Sequence, residues 1–444
     1  MRKTIATFVL AAALVNSRVA HADDLARTRL DEGTVVSLAL ASHPTIEAAR
    51  AGRDAARSAS SAADYARIPD LAVSARYSRL SSIPARFRTF GDAVFPQILD
   101  NLGVRAELSV PITDIFFTLA ATARAAGHRS EAADLELTST RAQMAYEAKV
   151  SFFAYTSRTF AVANATELVR VAEGQVEEQQ RKEVAGTAAR NDVLPYETAL
   201  DSARMGLAAA RADAGAAEAT LLSYAPSLRG QSFTVPSLDD LERPVRPPAT
   251  APETPVRIAA LEAEKRAAES AHDATSFARL PRIAAYGIAD LSAPSPRVFV
   301  LDRLTAIPTW ELGIRLEWSL SQATSGSAKA AEARSQAEAL TAKIAAARRT
   351  LLAEREGARA ALSAAEERIR LAEGRVTRAK DLARARRGEL AAGTALPLAV
   401  VVAEADVLRA KNEQVDAAIE RALALAKIDF VDGRADTFRT KVER

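Results

Sequence analysis

Arg105 and Glu107 stand two residues apart in GVRAELSV, residues 103–110, and Arg315 and Glu317 stand two apart in GIRLEWSL, residues 313–320. In an extended strand a spacing of two puts both side chains on one face. Each stretch therefore sets an arginine beside a glutamate and leaves the opposite face apolar. Opposite charges placed so hold water and neutralise each other. General acid–base work would instead need a carboxyl whose pKa is raised by burial or by like charge. The chemistry on offer is that of a wetted wall.

Other reactive patterns are absent from the 444 residues. There is no GxSxG, HExxH, P-loop or GxGxxG element. His21, His43, His128 and His272 are scattered without metal-ligand spacing. With no cysteine, disulfides, thiolate chemistry and cysteine–zinc sites are excluded. Carboxylates lie beside arginines at helical spacing, as in AEERIRLAEGR, which reads as solvated pairing. No catalytic residue and no cofactor is expected. Acidic and basic residues interleave to a net charge of +3, so no nucleic-acid partner is implied.

The elements that carry the charged strands come in two copies of one plan. The first has a helix over about 34–67, a strand DLAVSARYSRL from 70, a loop, and GVRAELSV. A very long helix over about 113–183 follows, then a turn AGTA at 185–188 and a helix over about 191–224. After a proline-rich linker, 244–255, the order returns. It runs as a helix over about 253–277, a strand RIAAYGIADL, a loop, GIRLEWSL, a helix over about 327–389, AGTA at 392–395, and a last helix to about 431. The two charged strands are 210 apart (313 − 103) and the two turns 207 apart (392 − 185). Near-constant offsets predict an internal structural repeat, with units 23–243 and 256–444. Leu200, Ala203, Leu207, Ala210, Ala214, Ala217 and Leu221 follow three–four spacing, a helix seam whose alanines admit close approach. Gly186 and Gly393 suit a left-handed helix end, and Asn191 suits an N-cap.

The first 22 residues, MRKTIATFVLAAALVNSRVAHA, show a basic start, a short apolar stretch and an A-x-A site, the pattern of a removable export signal. No later stretch is long and apolar enough for a transmembrane helix. An exported chain of this kind would enter a membrane as strands. On that reading Val104, Ala106, Leu108 and Val110 face lipid, as do Ile314, Leu316, Trp318 and Leu320. Arg105, Glu107, Arg315 and Glu317 face a water-filled lumen. The strand at 282 has too poor an alternation to fix its faces. A soluble sheet with its apolar face on a core alternates in the same way. Four strands cannot close a barrel. Two chains would give eight strands and a filled interior, and three would give twelve and a passage.

The chain resembles the TolC-type outer-membrane efflux proteins. The likeness rests on SLALASHPTIEAAR near the start, GTAARNDVLPYETALDSAR after the first turn, LEAEKRAAESAHDATSFARLPRI before the third strand and AGTALPLAVVVAEADVLRA after the second turn. It implies a mainly α fold with transmembrane β. A long antiparallel helical barrel would join four strands per chain in a trimeric 12-stranded outer-membrane β-barrel. It also implies an exit duct of a tripartite efflux or type I secretion system, extending into the periplasm, that does no chemistry. Its partners would be a periplasmic adaptor, an inner-membrane transporter and outer-membrane lipid. The adaptor would dock at the hairpin tips, here Ala185, Gly186, Thr187 and Ala392, Gly393, Thr394. Some relatives constrict the pore with two carboxylates after the second turn. Here Ala399 and Val402 stand there, and the nearest acid is Asp192 after the first turn, either a single acidic ring or a helix-end stabiliser. The competing expectation is a periplasmic coiled-coil adaptor or scaffold without a barrel.

Overall fold

The computed structural model describes residues 28–433, apart from 85, 87–88, 91–92, 95–96, 98, 232, 243–253 and 296–305. The expected export signal, nearly all of the proline-rich linker and parts of both strand-connecting loops lie outside the described residues.

The first half runs β1 (Thr28–Arg29), α1 (Glu32–Ser42), α2 (Pro44–Tyr65), β2 (Asp70–Arg79), the two-residue strands β3 (Thr89–Phe90) and β4 (Ala93–Val94), β5 (Asp100–Val110), α3 (Ile112–Phe116), α4 (Thr118–Val184) and α5 (Arg190–Tyr224). A connection with β6 (Phe233–Thr234) and α6 (Leu238–Glu242) follows. The second half runs α7 (Val256–Phe277), β7 (Arg282–Ala293), β8 (Ile307–Glu317), α8 (Leu320–Ala391) and α9 (Pro397–Val431). Helix, two long strands, long helix and returning helix thus occur twice.

Several boundaries differ from the sequence expectation. The helix expected over 34–67 is two helices. Pro44 has no N–H to continue a helix and favours extended backbone at the residue before it. His43 accordingly sits at φ −72°, ψ 128°, and its Nδ1 accepts the Thr45 N–H at 3.3 Å as a cap for α2. The strand expected over 313–320 begins earlier, at Ile307, and stops at Glu317. Trp318 and Leu320 therefore do not belong to a strand face. Leu320 opens α8, and Trp318 Nε1–H donates to the Arg279 carbonyl at 3.3 Å.

With 67 and 72 residues, α4 and α8 are rods on the order of 100 Å long. Neither could hold its shape without lateral packing. Near the strands the helices stand side by side as α2, α4, α7, α8, and toward the far hairpins as α5, α4, α9, α8. The two rods run the full length, and shorter helices fill the space between and beside them. The predicted seam of α5 holds: Leu200, Ala203, Leu207 and Leu221 are buried, the first three against Val169, Ala172 and Val176 of α4. Burying each leucine contributes about 1.5–3 kcal/mol.

The largest core lies at the middle of α4, where Phe152 and Phe153 meet Val35, Val36 and Ala39 of α1, Leu241 of α6 and Ile419 of α9. There β1 pairs in parallel with β6, and Leu30 and Phe233 beside them pack on this core.

Candidate functional site

The four long strands form one antiparallel sheet in the order β2-β5-β7-β8. The repeat is visible in its register. Adding 210 to the pair Ala72↔Glu107 gives Arg282↔Glu317, and adding it to Ser74↔Arg105 gives Ala284↔Arg315; all four pairs are present.

Cross-strand pairing settles the faces of β7. Leu71, Leu108, Gly287 and Leu312 follow one another across the sheet, as do Ala75, Val104 and Leu291. Gly287 and Ala289 give β7 its weak alternation, yet they belong to the same apolar face as Leu291. Much of that face is exposed, with Val73, Leu312 and Ile314 at 70%, 75% and 77%, while Ala293 on β7 is buried. Exposed apolar area of this extent marks an interaction surface.

The other face is polar and holds all four sequence-predicted charges. Arg105 Nε lies 3.6 Å from Glu107, and Arg105 stands opposite Asp290 in the strand register. Glu317 stands opposite Arg282 in the register, and Arg282 Nε lies 3.7 Å from Asp114 at the foot of the sheet. The sequence reading missed Tyr286. Its hydroxyl donates to Glu311 at 2.9 Å, and the Arg315 guanidinium sits 5.2 Å from its ring centre. A glycine two strand positions before an arginine, at 313, was the available signal. Both sheet edges, β2 and β8, have a strand on one side only.

At the far end the two hairpin tips share one geometry. Gly186 has φ +74° and Gly393 φ +72°, the left-handed conformation that glycine adopts without steric cost. At the first tip the Thr187 N–H and hydroxyl donate to the Lys182 carbonyl at 2.9 and 3.0 Å. At the second the Thr394 N–H and hydroxyl donate to Glu389 at the same two distances. Ala185, Gly186, Thr187, Ala392, Gly393 and Thr394 are all exposed.

Asp192 lies in the first turn of α5. The N-cap is Ala189, not Asn191, which lies inside the helix. The Asp192 carboxylate reaches back to accept the Ala189 N–H at 2.9 Å and so stabilises the helix start. The apolar run after the second turn is not uniform. Val400 and Val401 are buried, Ala399 is half-buried, and Val402 is 55% exposed. Tyr196 ties the tips together: its phenol oxygen accepts a hydrogen bond from the Leu398 backbone N–H. Burial pushes its phenol pKa up to about 12.

Of the histidines, His128 lies 3.4 Å from Glu131, and His272 Nδ1 donates to the Ala330 carbonyl at 2.9 Å. Among the described residues no cluster of histidines and carboxylates could hold a metal ion. Among them, too, no helix is long and apolar enough to cross a membrane.

Solved structures of the same fold include a membrane protein of Pseudomonas aeruginosa, 18% identical over 94% of each chain with a TM-score of 0.78. They also include the CmeC outer membrane channel of Campylobacter jejuni, 14% identical over 91% of this chain and 86% of that one, TM-score 0.80. The outer membrane protein VceC of Vibrio cholerae is 18% identical over 90% and 96%, TM-score 0.70. No curated protein sequence matches this one. The sequence profile of the outer membrane efflux protein family matches residues 35–225 and 253–434, most of the chain. With a two-faced sheet, paired rods and a twofold repeat already in place, this chain belongs to the outer membrane efflux protein family and is an efflux duct of the outer membrane.

Proposed function

We propose that three copies close their sheets into one 12-stranded barrel and form the exit duct of a tripartite efflux or type I secretion system. The observation that carries this is the open sheet with one apolar face, charged only at its rim where Arg79 pairs with Asp100. In hydrocarbon each unpaired edge group costs several kcal/mol, so β8 of one copy must meet β2 of the next. The strand directions permit this, because β2 and β8 run antiparallel and a head-to-tail ring keeps the alternation. A closed ring turns the apolar face to lipid and puts Arg105, Glu107, Arg315 and Glu317 on the lumen. The rods, continued around the ring, become a helical barrel in the periplasm.

The remaining assignments follow from this reading and the repeat. The two halves, 23–243 and 256–444, each supply one strand pair and one helical hairpin, a sixth of the ring, and are joined by the 244–255 linker. The exposed tips around Gly186 and Gly393 receive a periplasmic adaptor, which couples the duct to an inner-membrane transporter. That transporter supplies the energy, and the duct catalyses nothing. Asp192, Ala399 and Val402 line the narrowest part of the pore near the tips. The native mass of the protein, extracted in mild detergent from outer membranes, tests the reading. A species of three chains is expected. A soluble monomer or dimer would overturn it in favour of a periplasmic scaffold.

A further inference from the structure

The repeat also writes one corner twice, at the foot of the sheet. Tyr65-Ala66-Arg67-Ile68-Pro69 leads from α2 into β2, and Phe277-Ala278-Arg279-Leu280-Pro281 leads from α7 into β7. The two arginines are 212 apart (279 − 67). Their backbones agree closely. Ala66 ends its helix at φ −61°, ψ −12° and Ala278 at φ −62°, ψ −9°. The Ile68 N–H donates to the Tyr65 carbonyl at 2.9 Å, and the Leu280 N–H to the Phe277 carbonyl at 3.0 Å. Each proline, lacking an N–H, closes the turn and admits the strand.

Both arginines are exposed, and among the described residues neither guanidinium has an ion partner or a hydrogen bond. Asp64 and Asp70, three residues to either side of Arg67, are not paired with it. At the second corner the arginine stem is seated. Arg279 Cγ lies 2.8 Å from where a Cβ on Gly326 of α8 would stand, and the Arg279 carbonyl accepts the Trp318 indole N–H at 3.3 Å. A side chain at 326 would take the place that the stem occupies.

The corners lie among exposed apolar residues where the sheet gives way to the rods. Tyr65 and Phe116 are 69% and 70% exposed, and Ile68, Leu280, Trp318 and Leu320 are exposed as well. They adjoin the apolar face of the sheet, whose Leu71 and Ile283 follow three residues after Ile68 and Leu280. Aromatic rings favour a boundary between hydrocarbon and water. An arginine with no carboxylate partner keeps its planar fork available, and that fork matches the oxygens of a phosphate.

We propose that Arg67 and Arg279 each hold the phosphate of one glycerophospholipid in the membrane leaflet on the side of the rods, with Ile68 and Leu280 against its acyl chains. The inference rests on the barrel proposed above and adds to it the depth at which the barrel sits. The lipids so held resist sliding of the ring along the membrane normal.

The experiment counts lipids by native mass on the full-length protein, purified in mild detergent, stripped of lipid and titrated with phosphatidylglycerol. Diacylglycerol with the same acyl chains and inorganic phosphate are the comparison probes. Phosphatidylglycerol should be retained, up to six per ring (two corners × three copies), and the other two should not. Arg67→Gln and Arg279→Gln should each weaken retention at its own corner by about fivefold, the factor that ~1 kcal/mol per surface arginine carries. Lysine at both positions should keep most of it. Equal retention of diacylglycerol, or unchanged phosphatidylglycerol retention in the double glutamine variant, overturns the proposal. Lowered thermal stability in that variant without loss of lipid would reduce both arginines to helix-end stabilisers. Inorganic phosphate bound as tightly as the lipid removes the membrane role. All of these outcomes are read on a three-chain species; a smaller native mass in the unmodified protein overturns the barrel and the corners with it.

Discussion

Tyr286 lies flat across Gly313. On the polar face of the sheet, a Cβ built at residue 313 would come within 2.6 Å of the phenol carbon and oxygen, a distance no side chain tolerates. Glycine on β8 is therefore what lets the ring rest against the polar face of the sheet, beside Glu311 and Arg315, rather than stand out from it.

Gly313→Val should push Tyr286 off the wall. Such overpacking costs typically 1–3 kcal/mol, so the barrel should unfold at a lower temperature and conduct less in planar bilayers. Tyr286→Ala added to Gly313→Val should recover much of the loss, because the two positions share one contact. Equal damage in the single and double variants would show that Tyr286 is not the obstacle.

The two faces of β8 should respond differently to charge. Ile314→Arg on the apolar face should destabilise the barrel by about 2–4 kcal/mol if it lies near mid-membrane. Arg315→Gln, one residue on, should leave thermal stability nearly unchanged and alter ion selectivity. Detergent-resistant trimer yield and reversal potential separate the two.

Asp192 can be tested separately for its observed hydrogen bond at the helix start and for the proposed pore constriction. Asp192→Asn keeps an oxygen for the Ala189 N–H but removes the charge, whereas Asp192→Ala removes both. Stability of the first hairpin should fall by about 0.5–2 kcal/mol for alanine and by less for asparagine, as for other helix-end acceptors. Divalent-cation block of conductance should weaken in both variants. Unchanged block in Asp192→Asn would reduce the residue to a helix stabiliser.

Tyr196 links pH to the packing of the tips. Its phenol is pushed up to about 12, from 10.0, chiefly by burial, with Glu178 and Asp192 adding to the shift and the Leu398 backbone opposing it. A raised folded pKa means that the folded state holds the proton more tightly. The stabilisation is complete below about pH 10 and is lost as pH rises toward about 12. Tyr196→Phe should abolish that alkaline fall and cost about 0.5–1.5 kcal/mol through the lost hydrogen bond. Ultraviolet titration of tyrosinate alongside unfolding at each pH is the measurement.

Much of this architecture was written in local pattern. Alternation marked β2, β5 and β8, the offsets near 210 announced the repeat, and Gly186 and Gly393 marked the tips. The strands, seams and tips depend only on neighbours along the chain, through period two, three–four spacing and positive φ at a helix end, and the repeat on the same local pattern occurring twice.

What needed the tertiary structure was everything set by partners distant in sequence. β7 carries Gly287 and Ala289 where an apolar face would normally show large residues, so its own alternation cannot identify that face; Leu108 and Leu312 on the flanking strands do. The place of Trp318 outside the strand came from its bond to Arg279, and the link from Tyr196 to Leu398 from two helices 200 residues apart in the chain meeting side by side. A residue's type and spacing determine which surface it can belong to. Only the packing of the chain decides what stands opposite.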